Sequence, residues 1–313
     1  MIHSMGNDGR ILSSGLPVSA VIVNYNAGPI LTECIRTVLP QVSEIVVVDN
    51  DSQDESVVEC LRQFADDPQI RIIRNNKNLG FAVACNIGFA EATSPLVLFL
   101  NPDCLLEVGA IAELSQVLQA EAMSGMVGGL LVDLDGTEQR GGRRAVPTPW
   151  RSFVRAFGLN RFANRWPKLF IDFHMHKEPL PDRPIVVEAI SGACMLVKRD
   201  AISAVGLWDE GYFLHCEDLD WCMRFRQLGW KILFVPSARV THVQGVCSRQ
   251  RPIKVEWHKH RGMLRFYRKF FRHQYPGVLM GIVALGVWIS FGMRVGYHLG
   301  HGALRWKGWR YGE

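Results

Sequence analysis

Four stretches constrain this chain more than anything else in it. "VSAVIVNYN" (Val18 to Asn26), "EIVVVDNDS" (Glu44 to Ser52), "IRIIRNN" (Ile70 to Asn76) and "PLVLFLNPD" (Pro95 to Asp103) are apolar, largely β-branched runs that each end in polar residues. Strands apolar on both faces belong inside a parallel sheet covered on both sides. Helix-like stretches lie between the runs at Ile30 to Leu39, Asp54 to Phe64 and Phe81 to Glu91, and Gly109 to Gln119 follows the last. This alternation predicts right-handed βαβ units in a doubly wound α/β sheet.

In such a sheet the strand ends matter most. Tyr25 and Asn26, Asp49 and Asp51, Asn75, Asn76 and Asn78, and Asn101 and Asp103 all fall at carboxyl ends of runs. They should face one crevice, where open α/β sheets bind ligands. Asn and Asp are also ordinary turn residues, so one cluster alone means little; four in succession mean more. No G-x-G-x-x-G follows the first run and no G-x-x-x-x-G-K-[ST] occurs, which argues against a dinucleotide-binding dehydrogenase and a P-loop NTPase.

A length of 313 residues, 48% of them hydrophobic, suits one large α/β domain or two modest ones. The net charge of +5 comes without a basic, aromatic-interleaved motif, so no nucleic-acid partner is expected. Eight cysteines are scattered with no C-x-x-C pair. They read as buried free thiols in a reducing compartment, in preference to a zinc set of His215, Cys216, Cys222 and His242. Residues 1–16 are polar and Gly/Ser-rich, with no apolar core for a signal peptide, and are expected to form a flexible leader on a cytoplasmic protein.

"LHCEDLDWCMRF" (Leu214 to Phe225) packs Glu217, Asp218 and Asp220 among apolar and aromatic residues. Acidic residues suit the first turn of a helix. Half-buried carboxylates with like-charged neighbours also have shifted pKa values and gather at active sites. Residues 137 to 187 are basic, with Pro and Trp, and read as a long excursion serving as a lid or acceptor loop. Strands are expected at Lys231 to Pro236 and Ala238 to Gly245.

"VIVNYNAG", "VVVDNDSQDES", "NLGFAVACNIGF", "LFLNPDC", "SGACMLVKRDAISAVGLWDEGYFLHCEDLDWCMR" and "VTHVQG" stand in the order found in inverting family 2 glycosyltransferases with the GT-A fold. The chain most resembles bacterial rhamnosyltransferases that build cell-surface polysaccharides. The resemblance implies a Rossmann-like, mostly parallel sheet flanked by helices. It places a GT-A domain over 17–250, with a nucleotide-sugar-binding half at 17–136 and an acceptor half at 137–250. Donor contacts are implied for Tyr25, Asn26, Asp49, Asp51, Asn78, Gly80, Asn86, Asn101 and Asp103. Asn101 and Asp103 stand at the family's D-x-D, with Asn in place of the first Asp. Asp103 and His242 would hold Mg²⁺ or Mn²⁺ shared with the diphosphate. Asp218 matches the catalytic base, with Glu217, Asp220, Trp208 and Asp209 placed to hold the acceptor or support the base. A carboxylate raised toward neutral pKa could deprotonate the acceptor hydroxyl.

The implied donor is a nucleotide-sugar, best dTDP-rhamnose, and the implied acceptor a glycan or lipid-linked glycan. Galactofuranose or a UDP-hexose is the second reading, and a non-catalytic nucleotide-sugar binding module a third. A processive synthase is disfavoured, because Q-x-x-R-W and multiple spans are lacking. A nucleotidyltransferase is disfavoured too, because "NYNAG" is not its Gly-rich, basic signature. Residues 251–313 form a basic and apolar helical tail. Gly277 to Met293 carries no charge between basic flanks rich in Trp, Tyr and Phe. Such a tail suits attachment to the inner face of the cell membrane, peripheral or monotopic rather than a clean span. Gly292, Gly296 and Gly300 recur at a spacing that allows close helix contact, including in a homo-oligomer.

Overall fold

The computed structural model describes residues 17–156, 159–162, 165–166, 175–243, 245 and 251–310, with 155, 156, 160 and 301–310 as backbone only. The leader expected over 1–16 and Cys247 lie outside the described residues. The chain divides into two compact units.

The first unit is built on one mixed sheet. Strands β1 (Val18–Asn24), β2 (Glu44–Asp49), β3 (Ile70–Arg74) and β4 (Leu96–Leu100) alternate with α1 (Ile30–Val38), α2 (Ser56–Phe64) and α3 (Phe81–Glu91). They pair in parallel in the order β3-β2-β1-β4. β1 and β4 are buried along their whole length, as continuous apolar runs require. β3 is the edge strand, and its Arg71 and Arg74 are exposed. Such edge charges discourage pairing with another chain.

After β4 the chain runs through β5 (Cys104–Leu106), α4 (Ala110–Ala120), β6 (Ser124–Val132) and β7 (Arg143–Arg144), and α5 (Pro149–Ala156) belongs to the second unit. β8 (Ile185–Val186), β9 (Ala189–Ile190), β10 (Cys194–Lys198), α6 (Arg199–Val205), α7 (Glu217–Gln227) and β11 (Lys231–His242) complete the first unit. β10 lies antiparallel between β4 and β6, β11 runs parallel to β6, and β5 and β8 pair antiparallel with β11. β7 and β9 form a separate two-stranded ribbon.

The two strands expected at 231–236 and 238–245 are one. β11 continues through a register shift between Val235 and Arg239, where Pro236 falls. A bulge is where a strand tolerates proline, and it bends the strand. Beyond the bend His242 pairs with Cys104 of β5. Opposite the bulge β6 carries Gly129, where an added Cβ would lie 2.3 Å from the Ala238 carbonyl oxygen.

The second unit comprises α5, α8 (Pro252–Phe271) and α9 (Gly277–Arg310), with the short segment Leu214–Cys216. The Ser152 hydroxyl lies 2.6 Å from the Tyr267 hydroxyl. Trp257 of α8 meets Trp288 and Phe291 of α9 at ring distances of 5.3 and 5.7 Å. The charge-free stretch is thus part of a single helix that runs well past Met293. Gly277–Gly300, 24 residues, is long and apolar enough to cross a membrane, and almost none of it is buried.

Candidate active site

Parallel register sets the crevice. Asn24 stands opposite Asp49 at the ends of β1 and β2, and its amide nitrogen donates to Asp49 Oδ1 at 2.8 Å and to Ser56 Oγ at 2.9 Å. Ser52 N–H donates to Asp49 Oδ2 at 3.2 Å. Asp49 is 1% exposed, so its carboxylate is spent inside the protein. Tyr25, Asn26 and Asp51 are half-buried beside it. Asn26 and Asp51 have φ of 52° and 66°, a left-handed conformation that Asn and Asp tolerate better than most residues. Asn78 Oδ1 accepts from Gly80 N–H at 2.9 Å. Gly80 has φ 91°, and an added Cβ would sit 2.7 Å from the Phe213 carbonyl oxygen. Both ends of the buried Asn86 amide clasp the Trp208–Glu210 segment, at 2.9–3.1 Å.

Asp103 and His242 are buried together, His242 Nε2 lying 3.2 Å from Asp103 Oδ1 and 3.5 Å from the Asn101 amide nitrogen. Gln139 decides which tautomer faces them. Its amide nitrogen donates to Asp133 Oδ1 at 2.7 Å, which turns its oxygen toward His242 Nδ1 at 2.6 Å. Nδ1 therefore carries the proton, and in the neutral ring Nε2 presents a lone pair to a carboxylate. A lone pair against a carboxylate oxygen calls for a cation or a proton between them. A metal-ligating histidine is typically oriented in this way, by a hydrogen bond from its other ring nitrogen. Cys104 belongs to the same cluster. Burial and the Asp103 charge push its thiol well up, and it donates to the Ala193 carbonyl at 3.4 Å. The available set is therefore one carboxylate and one imidazole, which suits Mg²⁺ or Mn²⁺ completed by ligand oxygens.

Glu217, Asp218 and Asp220 form the first turn of α7, and two consecutive non-glycine residues of positive φ, His215 and Cys216, lead into it. Asp218 pairs with Arg144. It also accepts from Gly192 N–H at 3.1 Å and Leu219 N–H at 2.7 Å. Its neighbour Glu217 is pushed up to about 8, through burial and then the Asp218 charge. Asp220 is fully buried and accepts from Arg224 at 2.7 Å, and Arg224 in turn holds the Val205, Gly206 and Leu207 carbonyls. Trp208 packs in an aromatic cluster with Phe81, Phe99 and Trp221. Asp209 Oδ1 accepts from Gly211 N–H at 2.9 Å in the adjoining turn.

Residues 19–206 match the family described as Glycosyl transferase family 2, more than half of the chain. The chain is a family 2 glycosyltransferase. It is 30% identical over 241 residues to the N-acetylglucosaminyl-diphospho-decaprenol L-rhamnosyltransferase of Mycobacterium tuberculosis, covering 72% of this chain and 75% of that one. The low-salt glycan biosynthesis hexosyltransferase Agl10 of Haloferax volcanii is 27% identical over 67% of this chain and 62% of its own length. The fold is GT-A-like. The mannosyltransferase PcManGT of Pyrobaculum calidifontis, solved with GDP-Man and Mn²⁺, superposes with a TM-score of 0.57 at 15% identity over 93% of this chain and 81% of that one. GalNAc-T7 with UDP, GalNAc and Mn²⁺ gives 0.56 at 22% identity over 74% of this chain, which spans 45% of that one.

In this glycosyltransferase one short loop joins the two acidic centres. Gly192 N–H binds Asp218, and the carbonyl of the next residue, Ala193, accepts from Asn101 N–H at 2.9 Å. Asp218 and the Asn101–Asp103 turn are thus held from consecutive residues. Arg144 and Gln139, which set the surroundings of Asp218 and His242, were not singled out from sequence. Arg144 lies in the basic "RGGRRAVP" stretch, the one available signal, whereas Gln139 has none. The seven described cysteines are free thiols.

Proposed function

We propose that this glycosyltransferase moves L-rhamnose from dTDP-rhamnose, with inversion, to a hydroxyl of a lipid-linked cell-surface glycan precursor at the cytoplasmic face of the membrane. The observation that carries the reading is the pair of centres joined by the Gly192–Ala193 loop. Tyr25, Asn26, Asp51 and Asn78 line the nucleotide end of the crevice, and Asp49 holds that end in shape. Asp103 and His242 face the diphosphate with Asn101 beside them. A divalent cation held there would offset charge developing on the leaving group. Asp218 takes the acceptor proton while Arg144 and two backbone N–H groups fix its orientation. The rhamnose assignment is supported by the mycobacterial relative, and the wider choice of hexoses by the archaeal one.

The tail supports the membrane reading. Val278, Ile282, Leu285, Ile289, Met293 and Tyr297 form an exposed apolar stripe along α9. α9 also packs on α8, which carries Lys254, Lys259, Arg261, Arg265, Arg268 and Lys269. An upright span would draw those charges toward hydrocarbon at large cost. A helix pair lying along the surface, stripe inward, keeps them among headgroups.

The test is a thermal-shift screen with dTDP-rhamnose, UDP-galactose, UDP-glucose and GDP-mannose, with and without Mg²⁺ or Mn²⁺, followed by transfer assays. The dTDP donor should stabilise most, and Asp218→Asn should lose at least about 10²-fold in turnover while keeping donor binding. Preferential stabilisation by a UDP or GDP donor would overturn the rhamnose assignment. A variant retaining a tenth of wild-type turnover would remove Asp218 as the base.

A further inference from the structure

The second unit holds a cavity of about 370 Å³ that the transfer chemistry does not use. α5, α8 and α9 line it, and its two ends differ, Ser152 meeting Tyr267 toward one and His260 lying 3.5 Å from Ser290 toward the other. At one end are Phe153, Tyr267, Ile282 and Val283. At the other are Lys259, His260, Ser290 and Arg294. The acid at that end is Glu256. It lies 3.3 Å from Arg294 Nη1, 3.4 Å from His260 Nδ1 and 4.0 Å from Lys259 Nζ. Among the described residues, one carboxylate against Lys259 and Arg294 leaves positive charge in excess.

Ile282, Leu285 and Ile289 line the cavity and also belong to the exposed apolar stripe of α9. The cavity therefore communicates with the face that would meet the bilayer. From Ile282 to Arg294 is twelve residues, about 18 Å along a helix. Gly286 lies in the wall between them, and an added Cβ there would meet nothing within 4 Å. An apolar trough of this length, open to lipid along its side and basic at one end, fits an amphiphile with a long chain and an anionic head.

We propose that this groove seats the acceptor's polyprenyl chain, with the lipid phosphate at Lys259 and Arg294 and the isoprene units running along α9 toward Ile282. The proposal rests on the lipid-linked acceptor of the preceding section and adds where that lipid is held. Bulk anionic phospholipid shares the charge but is acyl-chained, and the test separates the two.

The full chain in phosphatidylcholine nanodiscs is exposed to a diazirine-bearing polyprenyl phosphate. Labelling should map to α9 between Ile282 and Arg294. Unlabelled polyprenyl phosphate should compete at least about tenfold better than phosphatidylglycerol. Gly286→Trp fills the trough and should cut labelling several-fold, as should Arg294→Gln, which alters an exposed side chain with little risk to folding. Both variants should keep wild-type stabilisation by the nucleotide-sugar. Equal competition by phosphatidylglycerol, or labelling unchanged in Arg294→Gln, would overturn the proposal. Failure of the rhamnosyl-transfer reading would appear separately, as absent transfer with labelling intact.

Discussion

Glu217 and Asp218 are adjacent in sequence but meet opposite surroundings. Asp218 reaches Arg144 and two N–H groups, while Glu217 turns into the protein, where burial and the Asp218 charge push it up to about 8. Between the ordinary glutamate range and that value, the folded state keeps a proton that the unfolded chain has released. Its contribution to stability is fully present at lower pH and is lost as pH rises through that window. The wild-type thermal midpoint should therefore fall from about pH 5 to about pH 8 more steeply than that of Glu217→Gln. Coincident slopes would mean that Glu217 is ionised in the fold. Gln139 presents a second case. Gln139→Met removes the acceptor that holds His242 Nδ1–H, and losing such a partner typically costs 10–100-fold in metal affinity. The Mn²⁺ concentration for half-maximal nucleotide binding should rise by about that factor, and an unchanged titration would show that His242 does not act on the metal.

Among the elements, β11 does most to assemble the site. It pairs with β6 on both sides of the bend at Pro236, and its end brings His242 onto β5 beside Asp103. Gly129 makes room for that bend. Gly129→Ala would press a methyl against the Ala238 carbonyl, which only backbone movement can relieve. Overpacking of this kind costs about 1–3 kcal/mol, so the thermal midpoint should drop by several degrees and His242-dependent metal binding should weaken with it. Gly286→Ala in α9 is the control. It meets open space and gains helix propensity, so its midpoint should hold or rise. A Gly129→Ala protein as stable as wild type would show that the bend does not need the close approach.

On the scale of the whole molecule, the catalytic unit and the α5–α8–α9 unit are chemically distinct. The first buries polar chemistry at strand ends, and the second exposes an apolar stripe beside a basic helix. Each Lys or Arg near an anionic surface contributes about 1 kcal/mol, a term that salt screens, whereas burial of the stripe is insensitive to salt. The full chain should wash from membranes partly in high salt and completely only in detergent. Complete release by salt alone would mean that the stripe does not enter the bilayer, and a chain that stays monomeric and soluble without detergent would remove membrane attachment altogether.

The four apolar runs, the polar residues closing them and the acidic start of α7 depend on local period and burial, so they were readable from the chain alone, and with them the GT-A-like fold and the family. What tertiary structure decided is which of those polar residues still face outward. Asp49 and Asn86, donor contacts by resemblance, acquire internal partners through register and packing, Asn24 and Ser52 for one and Trp208 and Glu210 for the other. Arg144 and Gln139 acquire their places only through partners 74 and 103 residues away. In sequence the charge-free stretch of the tail ends at Met293. The helix continues beyond Met293 and packs on α8, and the proposed attachment rests on that packing rather than on its length. Local pattern reports what a segment would bury. Long-range pairing depends on strand register and bulges, which no short window of sequence contains.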